Sequence, residues 1–194
     1  AFMATDGLSG PALDVATGTG DLAFDLARNP SVSSVVGVDF TLAMLAVARY
    51  KSARQQLDGK ASFLYGDAHE LPFMDNRFSC ATVGFGVRNF INIPLALSEM
   101  VRVVKPGGRV VVVEIVPMEG KGPLSRLFPL YFRYVTPWVG ALLAGSREAY
   151  TYLPESVQAF HSAAGLASLM GQAGLVSVVY RKLALGAVAI HVGE

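Results

Sequence analysis

The sequence predicts an α/β fold, a mostly parallel sheet with helices on both faces, and three observations lead there. Short apolar or β-branched runs alternate along the chain with segments of helical periodicity. The hydrophobic fraction is 52% against 16% charged, which excludes disorder and suits strands buried on both sides. The turn between the first strand and the first helix reads Gly18-Thr19-Gly20, where the backbone bends tightly and approaches a ligand with no Cβ in the way. The 194 residues fit one domain, 1–194, with a sizeable core.

The elements follow in order. Residues 12–16 form a buried strand, and a helix opens at Asp21, with Leu22, Ala23, Leu26 and Ala27 on one face until Asn29-Pro30 stops it. Its N-terminus offers free N–H groups to a ligand. Residues 34–39 are a second strand. Thr41 stands where a cap belongs, before a helix over 42–57 that closes at Asp58-Gly59. Residues 61–65 and 77–84 are the third and fourth strands. A helix over 94–104 is stopped by Lys105-Pro106-Gly107-Gly108, and 109–116, reading RVVVVEIV, is the most strongly β run of all. After an insert come a helix over 156–172 and two strands, 175–181 and 187–192. These form a close hairpin that adds an antiparallel edge.

Net charge is +1, so nucleic acid is not an expected partner. The single Cys80 cannot form an internal disulfide, and no basic stretch leads into an apolar core at the start. Both suit the cytoplasm. The chain enters its first core strand almost at once, so a preceding segment is expected to be missing from this sequence.

Ligands of open parallel sheets bind beyond the carboxyl ends of the strands. Four such ends here carry polar or glycine-rich turns: Gly18-Thr19-Gly20, Asp39-Phe40, Asp67-Ala68 and Gly84-Phe85. Together they predict a nucleotide-type site. Gly18-x-Gly20-x-x-Ala23 with Asp39 formally fits a dinucleotide fingerprint. Asp14, just before the turn, suits a cationic methionine moiety better than a phosphate, and Asp67 suits an adenine edge. No HExxH or CxxC spacing suggests a metal.

In their order and spacing ALDVATGTGD, GVDF, GDAHELPF, FGVRNF, VVKPGG and YTYLPES resemble the ubiquinone/menaquinone-biosynthesis C-methyltransferase family, from about Ala12 to the C-terminus. The glycine motif and VKPGG are shared by many S-adenosylmethionine-dependent enzymes, whereas FGVRN and YxYLPES are particular to this family. The resemblance implies a Rossmann-like class I methyltransferase fold with seven strands. It also implies S-adenosylmethionine as cofactor, S-adenosylhomocysteine as product and C-methylation of a polyprenylated quinol, demethylmenaquinol to menaquinol. A different phenolic or lipid acceptor, or a non-catalytic cofactor-binding scaffold, remain alternatives.

The strand-end turns make Asp14, Gly18, Gly20, Phe40, Gly84 and Phe85 candidate cofactor contacts, and the resemblance implies contacts at Thr19, Asp39, Asp67 and Ala68. Asp39 would hold both ribose hydroxyls and Asp67-Ala68 would meet adenine. Gly84 stands where some relatives have a serine. On the substrate side it implies Arg88 as an anion-stabilising or orienting group, with Asn89, Tyr152 and His161 as further candidates. His161-Ser162-Ala163 departs from the family's Pro-Asp-Gln, and no general base is identified. The family's N-terminal helices have no counterpart here. The insert, 117–150, is the most aromatic stretch. It is expected to form a lid for an isoprenoid tail, at the inner face of a membrane rather than across it. A transient membrane-surface contact and a homodimer are admitted as partners.

Overall fold

In the computed structural model, residues 2–118 and 156–194 are described. The elements are α1 (Phe2–Thr5), β1 (Gly10–Val15), α2 (Asp21–Ala27), β2 (Val32–Asp39), α3 (Leu42–Arg54), β3 (Ala61–Tyr65) and β4 (Phe78–Gly84). They continue with α4 (Ile93–Val103), β5 (Val104–Ile115), α5 (Ala163–Gln172), β6 (Val179–Leu183) and β7 (Val188–Gly193). The strands make one seven-stranded sheet in the order β3-β2-β1-β4-β5-β7-β6. The first five run parallel, while β7 pairs antiparallel with both β5 and β6. The alternation of elements and the terminal hairpin are as the sequence predicts.

Alternate side chains of a strand leave the sheet on opposite faces, and each face has its own core. Leu13, Val15, Val110 and Val112 pack with Leu97 and Met100 of α4 and Leu166 and Met170 of α5. Ala12, Val35, Cys80 and Val111 pack with Phe24 and Leu26 of α2 and Leu45 and Ala48 of α3. The cavity-side ends of β1, β2, β4 and β5 are therefore clamped from both sides.

Several boundaries move for local reasons. The predicted helix over 156–172 is broken: residues 156–159 are helical, but Ser162 is extended and its hydroxyl accepts from the Gly165 N–H at 3.1 Å, capping α5 afresh. Lys105-Pro106-Gly107-Gly108 is not a simple turn. β5 starts at Val104 and pairs with Phe78, and a register shift before Cys80 absorbs the irregularity. The run from Leu175 is interrupted at Ser177, whose φ is 52°, so β6 begins only at Val179. Likewise α3 stops at Arg54, with Gln56 at φ 56°. Thr41 does occupy the N-cap position of α3, without a capping side-chain bond. Among the described residues no helix is long and apolar enough to cross a membrane. Most of the insert lies outside the described residues, as does Tyr152.

Candidate active site

The ends of β1 and β4 come together where Ala16 and Phe85 both adopt left-handed backbone, φ 51° and 57°. Non-glycine residues rarely do so, and such strain gathers at functional sites. The two turns touch so closely that a Cβ on Gly86 would stand 2.7 Å from that of Ala16. Gly20, with φ 88°, opens α2, and a Cβ there would meet the Phe24 ring at 2.9 Å.

Three adjoining cavities share Ala16. One, of about 300 Å³, is lined by Asp39, Phe40, Asp67, Ala68, His69 and Asn89, among others. A second, of about 350 Å³, reaches Asp14, Thr17, Gly18, Gly84 and Phe85. The third, of about 450 Å³, spans between them from Gly18 and Asp39 to Phe85 and Asn89. The topology thus brings eight of the expected cofactor residues to one cleft: Asp14, Gly18, Asp39, Phe40, Asp67, Ala68, Gly84 and Phe85. Phe40, 69% exposed, and Phe85, 47% exposed, give the cleft apolar walls.

The carboxylates are held differently. Asp39 is buried, and its two oxygens accept from the N–H groups of Gly18 and Thr41, each at 2.8 Å. It ties the glycine turn to β2 and keeps its remaining lone pairs for other donors. Asp14 is buried beneath the turn, accepting from the hydroxyls of Thr17 at 2.6 Å and Thr82 at 2.7 Å. Burial with neutral partners pushes its carboxyl up to about 6. Asp67 is exposed. Its Oδ1 accepts from the His69 backbone N–H at 2.9 Å and from the ring Nδ1 at 2.6 Å, and these bonds hold it below the usual carboxylate range. The His69 Nε2 accepts from the Asn92 N–H at 3.1 Å, so the ring proton sits on Nδ1.

Thr19 is placed differently from the other expected contacts. Its hydroxyl donates to Asp21 at 2.9 Å and accepts from Lys51 at 3.2 Å, outside these three cavities. Its hydroxyl therefore ties the turn to α2 and α3.

Beyond β4, residues Val87–Asn89 form one turn of 3-10 helix. There the Arg88 Nη1 meets the Oε1 of Glu114 at 2.5 Å, with Arg88 12% exposed and Glu114 wholly buried. Sequence reasoning missed Glu114, as it missed Thr17 and Thr82. The one available signal was a charged residue near the end of the apolar run 110–116. His161 is exposed just before α5, its ring against Phe160, and does not line the three cavities. Among the described residues no cluster of three or more His, Cys, Asp or Glu side chains could hold a metal.

A methyltransferase of Aquifex aeolicus described as S-adenosylmethionine-dependent superposes with a TM-score of 0.68 at 18% identity, covering 98% of this chain and 83% of that one. Phosphoethanolamine N-methyltransferase 2 of Haemonchus contortus, solved with S-adenosylmethionine, gives 0.66 at 19% identity over 91% of this chain and 35% of that one. The fold is that of the class I methyltransferases. In sequence, demethylmenaquinone methyltransferase of Thermus thermophilus is 46% identical over 182 residues, 94% of this chain and 81% of that protein. The ubiquinone/menaquinone biosynthesis C-methyltransferase UbiE of Dinoroseobacter shibae is 40% identical over 181 residues, 93% and 72%. The model of the ubiE/COQ5 methyltransferase family matches residues 3–194. With fold, cleft and a match of that length in agreement, the chain belongs to the ubiE/COQ5 methyltransferase family.

Proposed function

We propose that the cleft binds S-adenosylmethionine and that the protein C-methylates a polyprenyl quinol, with demethylmenaquinol as the acceptor. The carrying observation is the arrangement at the strand ends. A row of carboxylates, Asp14, Asp39 and Asp67, borders the cavities, and an anchored guanidinium, Arg88, follows β4 next to cavity-lining Asn89. The names of the relatives, demethylmenaquinone methyltransferases of Thermus and Deinococcus among them, support this acceptor.

The residues fit the cofactor. Asp39 would hold the ribose hydroxyls through the lone pairs that the Gly18 and Thr41 amides leave free. Asp67 and Ala68 would hold the adenine edge. Asp14 places negative charge beneath the glycine turn, where a cationic methionine moiety is favoured. Gly18 and Gly20 shape that turn, Thr19 ties it down, and Phe40, Gly84 and Phe85 wall the cleft. When bound, S-adenosylmethionine supplies an electrophilic sulfonium methyl group and leaves as S-adenosylhomocysteine.

On the substrate side Arg88 stays protonated and favours the ionised form of the quinol hydroxyl, which makes the ring carbon beside it electron-rich. Asn89 orients the quinol by hydrogen bonding. Tyr152, outside the described residues, is proposed to touch the second quinol oxygen. His161 is the candidate acceptor of the ring proton. The insert is proposed to cover the isoprenoid tail at a membrane surface. Equal liposome co-sedimentation after F132A and W138A would count against that contact.

The test is transfer of a labelled methyl group from S-adenosylmethionine to demethylmenaquinol in detergent micelles, with the oxidised quinone as control. Transfer to the reduced form alone is expected. Equal transfer to both forms, or none while S-adenosylhomocysteine still binds, would remove the quinol from the proposal.

A further inference from the structure

We infer that Glu114 is a positioning residue for methyl transfer, fixing through Arg88 the guanidinium edge that receives the ionised quinol oxygen. The inference rests on the substrate-side role proposed for Arg88. Glu114 lies in β5 among Val110, Val111, Val112, Val113 and Ile115. A carboxylate buried there is strongly disfavoured unless donors surround it.

The donors are specific. Oε1 accepts from the Arg88 Nη1 at 2.5 Å and from the Ile115 N–H at 2.9 Å. Oε2 accepts from the backbone N–H of Arg88 itself at 3.1 Å. One carboxylate thus grips both the main chain and the side-chain tip of the same arginine. The Nη1 also donates to the Phe85 carbonyl at 2.8 Å, which occupies its two protons. The Phe85 N–H in turn donates to the Val113 carbonyl at 2.8 Å, tying the turn to β5.

The opposite edge of the guanidinium is left. The Arg88 Nε is buried and has no hydrogen-bond partner among the described residues. Neither Glu114 nor Phe85 engages this edge, so its donor capacity is not used by the contacts that anchor the side chain. Nε–H and the neighbouring Nη2–H form a flat two-donor fork, the shape that suits an oxyanion. A flexible surface arginine would present that fork in many directions. Held at the backbone and at Nη1, Arg88 presents it in one, and Glu114 supplies most of the hold.

The experiment compares E114Q, E114D, R88M and E114Q/R88M in the demethylmenaquinol assay. S-adenosylhomocysteine affinity is measured by calorimetry and folding by near-UV circular dichroism. R88M is expected to lower kcat at least 100-fold and E114Q at least 10-fold, with cofactor affinity within twofold of wild type in each. E114Q/R88M is expected to be no slower than R88M, because Glu114 acts only through Arg88. E114D keeps the charge but is one methylene too short, so it guards against a fold lost in E114Q. Both Glu114 variants are expected to move the alkaline rise of kcat up by at least one pH unit, since a misplaced cation favours the quinolate less.

Multiplying effects in the double variant, or a wild-type kcat and pH profile in E114D, overturn the inference while leaving the Arg88 reading intact. Wild-type kcat in R88M overturns that reading and the inference with it.

Discussion

Asp14 on β1 and Glu114 on β5 are both wholly buried near the carboxyl ends of their strands, but opposite chemistry holds them. Alternation puts Asp14 on the α2/α3 face with Ala12, and Glu114 on the α4/α5 face with Val110 and Val112. Asp14 receives neutral donors, the hydroxyls of Thr17 and Thr82 and the backbone N–H of Ala23. Glu114 receives a guanidinium and two backbone amides. The first charge has no cationic side chain bonded to it and is best satisfied by a cation arriving with a ligand. The second is already compensated, which leaves it to fix geometry.

The comparison can be broken by neutralising each carboxylate without changing its shape. The largest effect belongs to Glu114. E114Q leaves the Arg88 cation buried with a weaker partner, so unfolding free energy is expected to fall by roughly 3–5 kcal/mol. Urea denaturation without cofactor measures it. An unchanged midpoint would show that the pair contributes nothing net to the fold.

Asp14 is expected to respond with the opposite sign. Its carboxyl is raised from 3.8 to about 6 in the folded protein. Below about pH 4 both folded and unfolded chains hold the proton and no penalty exists. As pH rises toward 6 the unfolded chain ionises first, so the fold loses stability relative to it. Above 6 the penalty is complete, about 3 kcal/mol for a shift of this size. D14N is therefore expected to be more stable than wild type at pH 7.5, with the difference vanishing below pH 4. The same variant is expected to bind S-adenosylmethionine at least tenfold more weakly. Urea curves across pH 3.5–7.5, with calorimetry at the upper end, test both halves. Stabilisation with undiminished binding would break the assignment of Asp14 to the ligand's cation.

How much of this was legible in the sequence differs between the two carboxylates for a physical reason. Asp14 stands four residues before Gly18, and the rule that ligands gather at strand ends made it visible, along with Asp39, Asp67 and Gly84. Its partner Thr82 was not visible, because it is 68 residues away and meets Asp14 only through the β1–β4 register. Glu114 was hidden more deeply. Its function depends on Arg88, 26 residues earlier, and no local pattern announces a contact between neighbouring strand ends. The fold was legible from alternating periodicities. The shifted ends of α3 and β6 were not, since left-handed Gln56 and Ser177 carry no glycine to signal them. Thr19 looked like a ligand contact because it lies in the glycine turn, but its hydroxyl is taken by Asp21 and Lys51, which stand 30 residues apart in sequence.

A third carboxylate sharpens the contrast. Asp39, like Glu114, accepts from donors that cannot turn away, the amides of Gly18 and Thr41. An Asn in its place must aim its own NH2 at one of them. D39N is therefore expected to destabilise by about 1–3 kcal/mol, short of E114Q because no buried cation is stranded. Beside Asp14 the Thr17 and Thr82 hydroxyls can rotate to accept the NH2 of an Asn, whose oxygen stays available to the Ala23 amide, which is why only D14N should stabilise. If D39N also stabilised, the rotating hydroxyls would not be the reason for Asp14's behaviour.

The smallest effect is expected at Gly84, which lines the same cavity as Asp14. Its backbone is not left-handed, and an added Cβ would meet only the tip of Leu22, at 3.3 Å. That is a tight contact with the far end of a flexible side chain, so G84S should change stability by less than about 1 kcal/mol. Its hydroxyl would enter the same cavity that Asp14 lines, where it can hydrogen-bond a polar ligand without adding charge. Calorimetry is expected to give S-adenosylhomocysteine affinity equal to wild type or up to fivefold tighter. Weaker binding would show that the cofactor backbone passes within contact distance of Gly84. The glycine would then be needed for room, and the ligand would lie nearer β4 than β1.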